Sequence, residues 1–127
     1  SDGMPYALGA HPRGAGTFSR FLGRYVREEG TLSLMDGLRK MTLMPAQRLE
    51  SISSQMTRKG RIQVGSDADI TIFDPSRIID TATFEDDLSY SIGVEYVLVN
   101  GSFVVREGEN VEGARPGVPI VGRRIVF

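Results

Sequence analysis

Apolar residues recur at three- and four-residue spacing between Phe18 and Leu49, and from Ala68 onward they follow the alternating pattern of extended chain. The two periods occupy separate stretches, so helices and strands segregate along the chain. That is the signature of an α+β fold, whereas a parallel βαβ fold would alternate them. At 127 residues the chain is one domain, or one domain with an appendage. It is too short for a (β/α)₈ barrel, which needs about 250 residues.

Residues 1–16 are rich in Gly and Pro, contain the single histidine, His11, and show neither period, so they read as a loop. From Thr17, a candidate N-cap, Phe18, Phe21, Leu22, Tyr25 and Val26 form a helical stripe that Gly30 can end. Arg20, Arg24 and Arg27 fall on the other face, which together with Glu28 and Glu29 reads as solvated. A second helix fits Ser33 to Leu43, with Ser33 as N-cap and Leu34, Leu38 and Met41 or Thr42 as its stripe. Gly37 weakens it by about 1 kcal/mol relative to Ala. Pro45 to Leu49 is a short third helical piece, since Pro suits a first turn.

Residues 50–60 carry no period and read as a connecting loop. A strand fits Ala68 to Asp74, with Ile70 and Ile72 on one face and Asp74-Pro75 as its stop. Val94–Val99 and Phe103–Arg106 flank Asn100-Gly101, a hairpin signal because both turn residues tolerate positive φ. Gly113 to Phe127 reads as a tail that packs on something or frays. The glycines at 60 and 65 match no phosphate-binding fingerprint and read as turns.

A net charge of −1 gives no broad attraction to nucleic acid or to an anionic membrane, so neither partner is expected. The chain has no Cys, which excludes thiolate metal sites and Cys nucleophiles and is compatible with a cytoplasmic setting. With one His it cannot build a His-rich metal centre, so no metal ligand is assigned. Composition alone therefore does not mark a self-contained hydrolase.

Ser1-Asp2-Gly3-Met4-Pro5, His11-Pro12-Arg13, Gly16-Thr17-Phe18 and the run Leu22 to Glu28 resemble the C-terminal third of N-acyl-D-amino-acid deacylases, the D-aminoacylases of the amidohydrolase superfamily. Arg39 to Thr42 and Pro45 to Leu49 resemble that family's closing barrel helices. Gly60-Arg61-Ile62, Gly65, Asp67 to Ile70 and Phe73-Asp74 resemble its return into a small β-sandwich, with Val97 to Gly101 and Gly113 to Gly117 as the last hairpin and tail. The similarity runs in order along nearly the whole chain. The stretch Glu50 to Lys59 departs from it, being longer than the compact link expected there.

The resemblance implies residues 1–58 as the end of a TIM-like barrel and 59–127 as a β-sandwich portion and tail. It implies a metal-dependent hydrolase acting on the amide bond of N-acyl-D-amino acids, with zinc in the intact enzyme and none in this chain by itself. Asp2 matches the carboxylate that takes a proton from the attacking water and passes it to the leaving amine, a role that suits a carboxylate beside a water whose pKa a metal lowers to about 7. Gly3, His11 and Arg13 fall in the loop that borders the substrate, where an Arg can grip a carboxylate bidentately. A surface or loop-packing role is the alternative for His11 and Arg13.

The missing ligands imply a piece of a longer enzyme, inactive alone, whose unpartnered stripes must be buried between its own helices, against the sheet or in a second copy, a homodimer being one such outcome. The competing reading is a free-standing, non-catalytic α+β module that associates with or stabilises a partner. A nucleic-acid-binding domain using the Arg face is a third, which the balanced charge opposes.

Overall fold

The structure is a computed structural model that describes residues 11–122. Its elements in chain order are α1 (Arg13–Arg20), a π-helical segment (Phe21–Glu28), α2 (Leu34–Met41), α3 (Leu43–Leu49), a 3₁₀ turn (Ser54–Arg58) and strands β1 (Ile70–Phe73), β2 (Val94–Val99), β3 (Ser102–Arg106) and β4 (Glu109–Asn110). The strands form one sheet in the order β1-β2-β3-β4. Helices precede strands, as the segregated periods require. The chain divides into two compact units, residues 1–37 with 72–95 and residues 38–71 with 96–127.

In the first unit, the helix begins earlier than the stripe predicts. Pro12, with φ −52°, is already set for a helix, so Arg13 to Gly16 are helical where a loop was expected. Thr17 is not the cap; its Oγ1 donates to the carbonyl of Arg13 at 2.6 Å. The second half of the predicted helix is π-helical, with Glu29 N–H donating to Arg24 O at 2.8 Å. Hydrogen bonds five residues back put more residues in each turn, so a stripe spaced for 3.6 residues drifts. Leu22 and Val26 are buried, while Tyr25 in the same segment stays 42% exposed and Phe18, in α1, 52%.

Glycines let neighbouring backbone approach this helix. A Cβ on Gly23 would lie 2.3 Å from Ile78 O, and one on Gly16 would lie 2.5 Å from the Cβ of Asp80. Across the same segment Gly93, at φ +84°, leaves room against Ile78 N, and Ile78 is 2% exposed. Arg27 donates to the carbonyls of Ile78 at 2.6 Å and Pro75 at 3.3 Å. The Arg20 and Arg27 side chains are therefore engaged with residues 75–80, not merely solvated.

Ser33 caps α2 as expected: Asp36 N–H donates to Ser33 Oγ at 3.1 Å, and that hydroxyl donates to Asp36 Oδ2 at 2.7 Å. Gly37 is buried, and a Cβ there would meet Val26 Cγ2 at 2.9 Å. Its helix-weakening cost is thus offset by close packing.

In the second unit, α3 starts at Leu43 and takes Pro45 in its first turn. The expected loop after it contains the 3₁₀ turn, with Met56 and Ser53 buried. Gln55 there clasps the tail: its Nε2 donates to Pro119 O at 3.2 Å and its Oε1 accepts from Val121 N–H at 2.9 Å. The predicted hairpin is present, with Asn100 at φ 50° and Gly101 at φ 79° and β2 antiparallel to β3. Leu98 faces Phe103 while Val97 faces Val105, so Val104 is an extra residue on β3. A second tight turn, Glu107 at φ 54° and Gly108 at φ 80°, leads into β4.

An ionic cluster ties this hairpin down. Lys59 Nζ donates to Asp69 Oδ2 at 2.5 Å and to Asp67 Oδ2 at 3.0 Å, while Arg58 Nε donates to Asp67 Oδ1 at 2.9 Å. Asp69 Oδ1 accepts the Asn100 N–H at 2.7 Å, and Gly101 N–H donates to Ala68 O at 2.9 Å. The Lys59 ammonium, hydrogen-bonded to both carboxylates, holds Asp67 and Asp69 below the usual carboxylate range. Lys59 is raised in turn, chiefly by its hydrogen bond to Asp69.

Candidate functional site

The first turn of α1 sets Arg13 beside His11. The backbone N–H of Arg13 donates to His11 Nδ1 at 3.1 Å, so a neutral His11 carries its proton on Nε2. The imidazole also meets the Phe84 ring edge-on, with centroids 5.0 Å apart and planes at 70°, the arrangement that aromatic quadrupoles favour. Phe84 stands on the 81–90 loop. That loop is closed by Thr81 Oγ1 donating to Tyr90 O at 2.7 Å and by Thr83 Oγ1 accepting from Glu85 and Asp86 N–H.

His11 and Arg13 border a cavity of about 240 Å³. Thr17, Phe21 and Tyr25, each four residues from the last, supply its helical wall. Arg20 and Asp80 supply its remaining charges, joined by Arg20 Nε donating to Asp80 Oδ2 at 2.8 Å. The Asp80 side chain is only 7% exposed against 49% for Arg20. An aromatic wall beside guanidinium groups can receive a small molecule that carries both an apolar part and a carboxylate.

Of the residues singled out from sequence, the structure thus brings His11 and Arg13 together at one cavity. Asp2 and Gly3 lie outside the described residues. Arg20 enters the sequence reading only as part of the Arg face, and no local pattern marks Asp80 or Phe84: Asp80 is 60 positions from Arg20 and Phe84 sits in a loop. Among the described residues no group of three or more His, Cys, Asp or Glu is placed to hold a metal ion. Nor, among them, is any helix long and apolar enough to cross a membrane.

The model of the amidohydrolase family matches residues 3–105. The chain belongs to the amidohydrolase family. Among curated relatives it is similar to the N-acyl-D-glutamate deacylase of Alcaligenes xylosoxydans, at 43% identity over 104 residues, covering 82% of this chain and 20% of that protein. It is also similar to the D-aminoacylase of the same organism, at 40% identity over 107 residues, covering 84% and 21%. This amidohydrolase chain therefore spans about a fifth of the length of those relatives.

Among solved structures it resembles a D-aminoacylase, with a TM-score of 0.85 and 34% identity over 94% of this chain and 24% of that one. It also resembles the N-acyl-D-glutamate deacylase of Bordetella bronchiseptica, solved with zinc and a phosphonate mimic of the tetrahedral intermediate. There the TM-score is 0.75 at 36% identity, covering 86% and 23%. A binuclear metal centre has been described in D-aminoacylase.

Proposed function

We propose that this chain is the C-terminal portion of a metal-dependent deacylase that hydrolyses the amide bond of N-acyl-D-amino acids. The observation that carries the reading is the similarity to D-aminoacylase along 94% of the chain, in step with the ordered sequence resemblance. In this reading residues 1–58 close a barrel and residues 59–127 belong to a β-sandwich, in a cytoplasmic enzyme. Family membership gives no support to a free-standing association module.

The described residues do not themselves fit a metal, since none of their His, Asp or Glu side chains cluster for it. The zinc of the intact enzyme is therefore assigned to other parts of the protein. Asp2 is the general base that takes the proton of the attacking water and delivers it to the departing amine nitrogen, contributing about 10²–10⁴-fold. Arg13 grips the substrate carboxylate through two N–H donors. Gly3 is assigned to substrate binding alongside Arg13, and His11 fixes the Arg13 backbone through the bond at Nδ1.

The test uses the full-length protein that carries this sequence, assayed with N-acetyl-D-glutamate and other N-acyl-D-amino acids. Asp2→Asn is expected to lower kcat by about 10²-fold or more with the melting temperature unchanged. Unaltered turnover in that variant overturns the role of Asp2. The 127-residue chain alone is expected to be inactive and, because Phe18 and Tyr25 are left exposed, to self-associate in sedimentation experiments.

A further inference from the structure

We infer that Phe84 is a positioning residue for the substrate-binding pair His11 and Arg13, an inference that rests on the reading just given. Its ring is 72% exposed, so it contributes little to the core. Yet it meets the imidazole of His11 edge-on at 5.0 Å. That imidazole accepts the Arg13 N–H, so the tilt of the Phe84 ring governs the direction of His11 Nδ1 and, through it, the first residue of α1.

The support is anchored on both sides. The 81–90 loop that carries Phe84 is closed on itself by Thr81 and Thr83. Immediately before it, Asp80 is fixed to Arg20, with the Asp80 Cβ packed over Gly16. Residues 80–84 thus touch the His11–Arg20 stretch through Asp80, against Arg20 and Gly16, and through the Phe84 ring. The Phe84 contact falls on the residue that is hydrogen-bonded to Arg13.

Two experiments decide it. In the 127-residue chain, NMR of Phe84→Ala should shift both the His11 ring protons and the Arg13 amide proton, and Phe84→Tyr, which keeps the ring, should restore them. An unmoved Arg13 amide overturns the inference. In the full-length protein, Phe84→Ala should raise KM for N-acetyl-D-glutamate about three- to tenfold, the order of one lost aromatic edge contact, while kcat changes less than twofold and Phe84→Tyr recovers KM. Arg13→Lys is the control. If it raises KM and Phe84→Ala does not, the positioning role is wrong. If Arg13→Lys leaves KM unchanged, the substrate-binding reading itself has failed, and the Arg13 amide shift alone then judges whether Phe84 orders this turn.

Discussion

Arg20 Nε and Asp80 Oδ2 meet at 2.8 Å across 60 positions of sequence, over a glycine whose missing side chain leaves room for the aspartate. The pair joins the helix behind the His11 turn to the start of the loop that carries Phe84. Its partners are unequally solvated, Asp80 nearly buried and Arg20 half exposed. Screening at the Arg20 end therefore limits what the ion pair contributes.

Replacing Asp80 by Ala should lower unfolding free energy by about 1 kcal/mol, the scale of one charge-assisted hydrogen bond discounted for exposure. Urea titration checks it. The midpoint should fall with the slope unchanged, and an unaltered midpoint would show that the bridge contributes nothing.

Gly23→Ala should cost about 1–3 kcal/mol, because its Cβ would lie 2.3 Å from the Ile78 carbonyl oxygen, a backbone atom that cannot rotate away. Gly117→Ala is the matched comparison. Nothing stands within 4 Å of its Cβ position, so thermal melts should place it within about 0.5 kcal/mol of the parent.

Acid should loosen the hairpin. Asp67 and Asp69 are held below their ordinary value of 3.8, first of all by hydrogen bonds from Lys59. Their contribution is therefore present above pH 3.8 and is lost as pH falls through the lowered values. Lys59 is raised above 10.5, so its share is full below that pH and is lost as pH climbs through the raised value. The Asn100 amide proton, bonded to Asp69 Oδ1, should titrate in step with Asp69 by NMR. Lys59→Met should move that transition toward 3.8; a transition that stays put would remove Lys59 as its cause.

Glu107 adopts φ 54°, where an L side chain crowds the following carbonyl oxygen. Glu107→Gly should relieve about 1 kcal/mol of that crowding. The opposite change at the first turn, Gly101→Val at φ 79°, should cost about 1–2 kcal/mol. Paired thermal melts that moved in the same direction for both variants would contradict this account.

The α+β order, the Ser33 cap and the Asn100-Gly101 hairpin were legible because each is written in neighbouring residues. The Glu107-Gly108 turn carries the same kind of signal, weakened because Glu rarely adopts positive φ. What escaped was non-local. Arg20 and Arg27 sit on a helix face that reads as solvated, and only the fold supplies Asp80 and the Ile78 carbonyl to them. Likewise, the π-helical turns are not foreseeable from apolar spacing, so Tyr25 reads as part of the face that here buries Leu22 and Val26. At the candidate site, His11 and Arg13 stood out through a recognisable tripeptide. Phe84 did not, because its role lies in what it faces and not in its neighbours.

Gln55 holds the tail through the peptide groups of Pro119 and Val121 and through none of their side chains. A carboxamide offers the same donor and acceptor as a strand edge, so it reads backbone, which every amino acid but proline presents alike. The consequence is a lopsided freedom to vary. The letters of the tail can drift with little penalty provided Val121 keeps its N–H, while the anchor cannot become even glutamate without losing the hand that donates to Pro119.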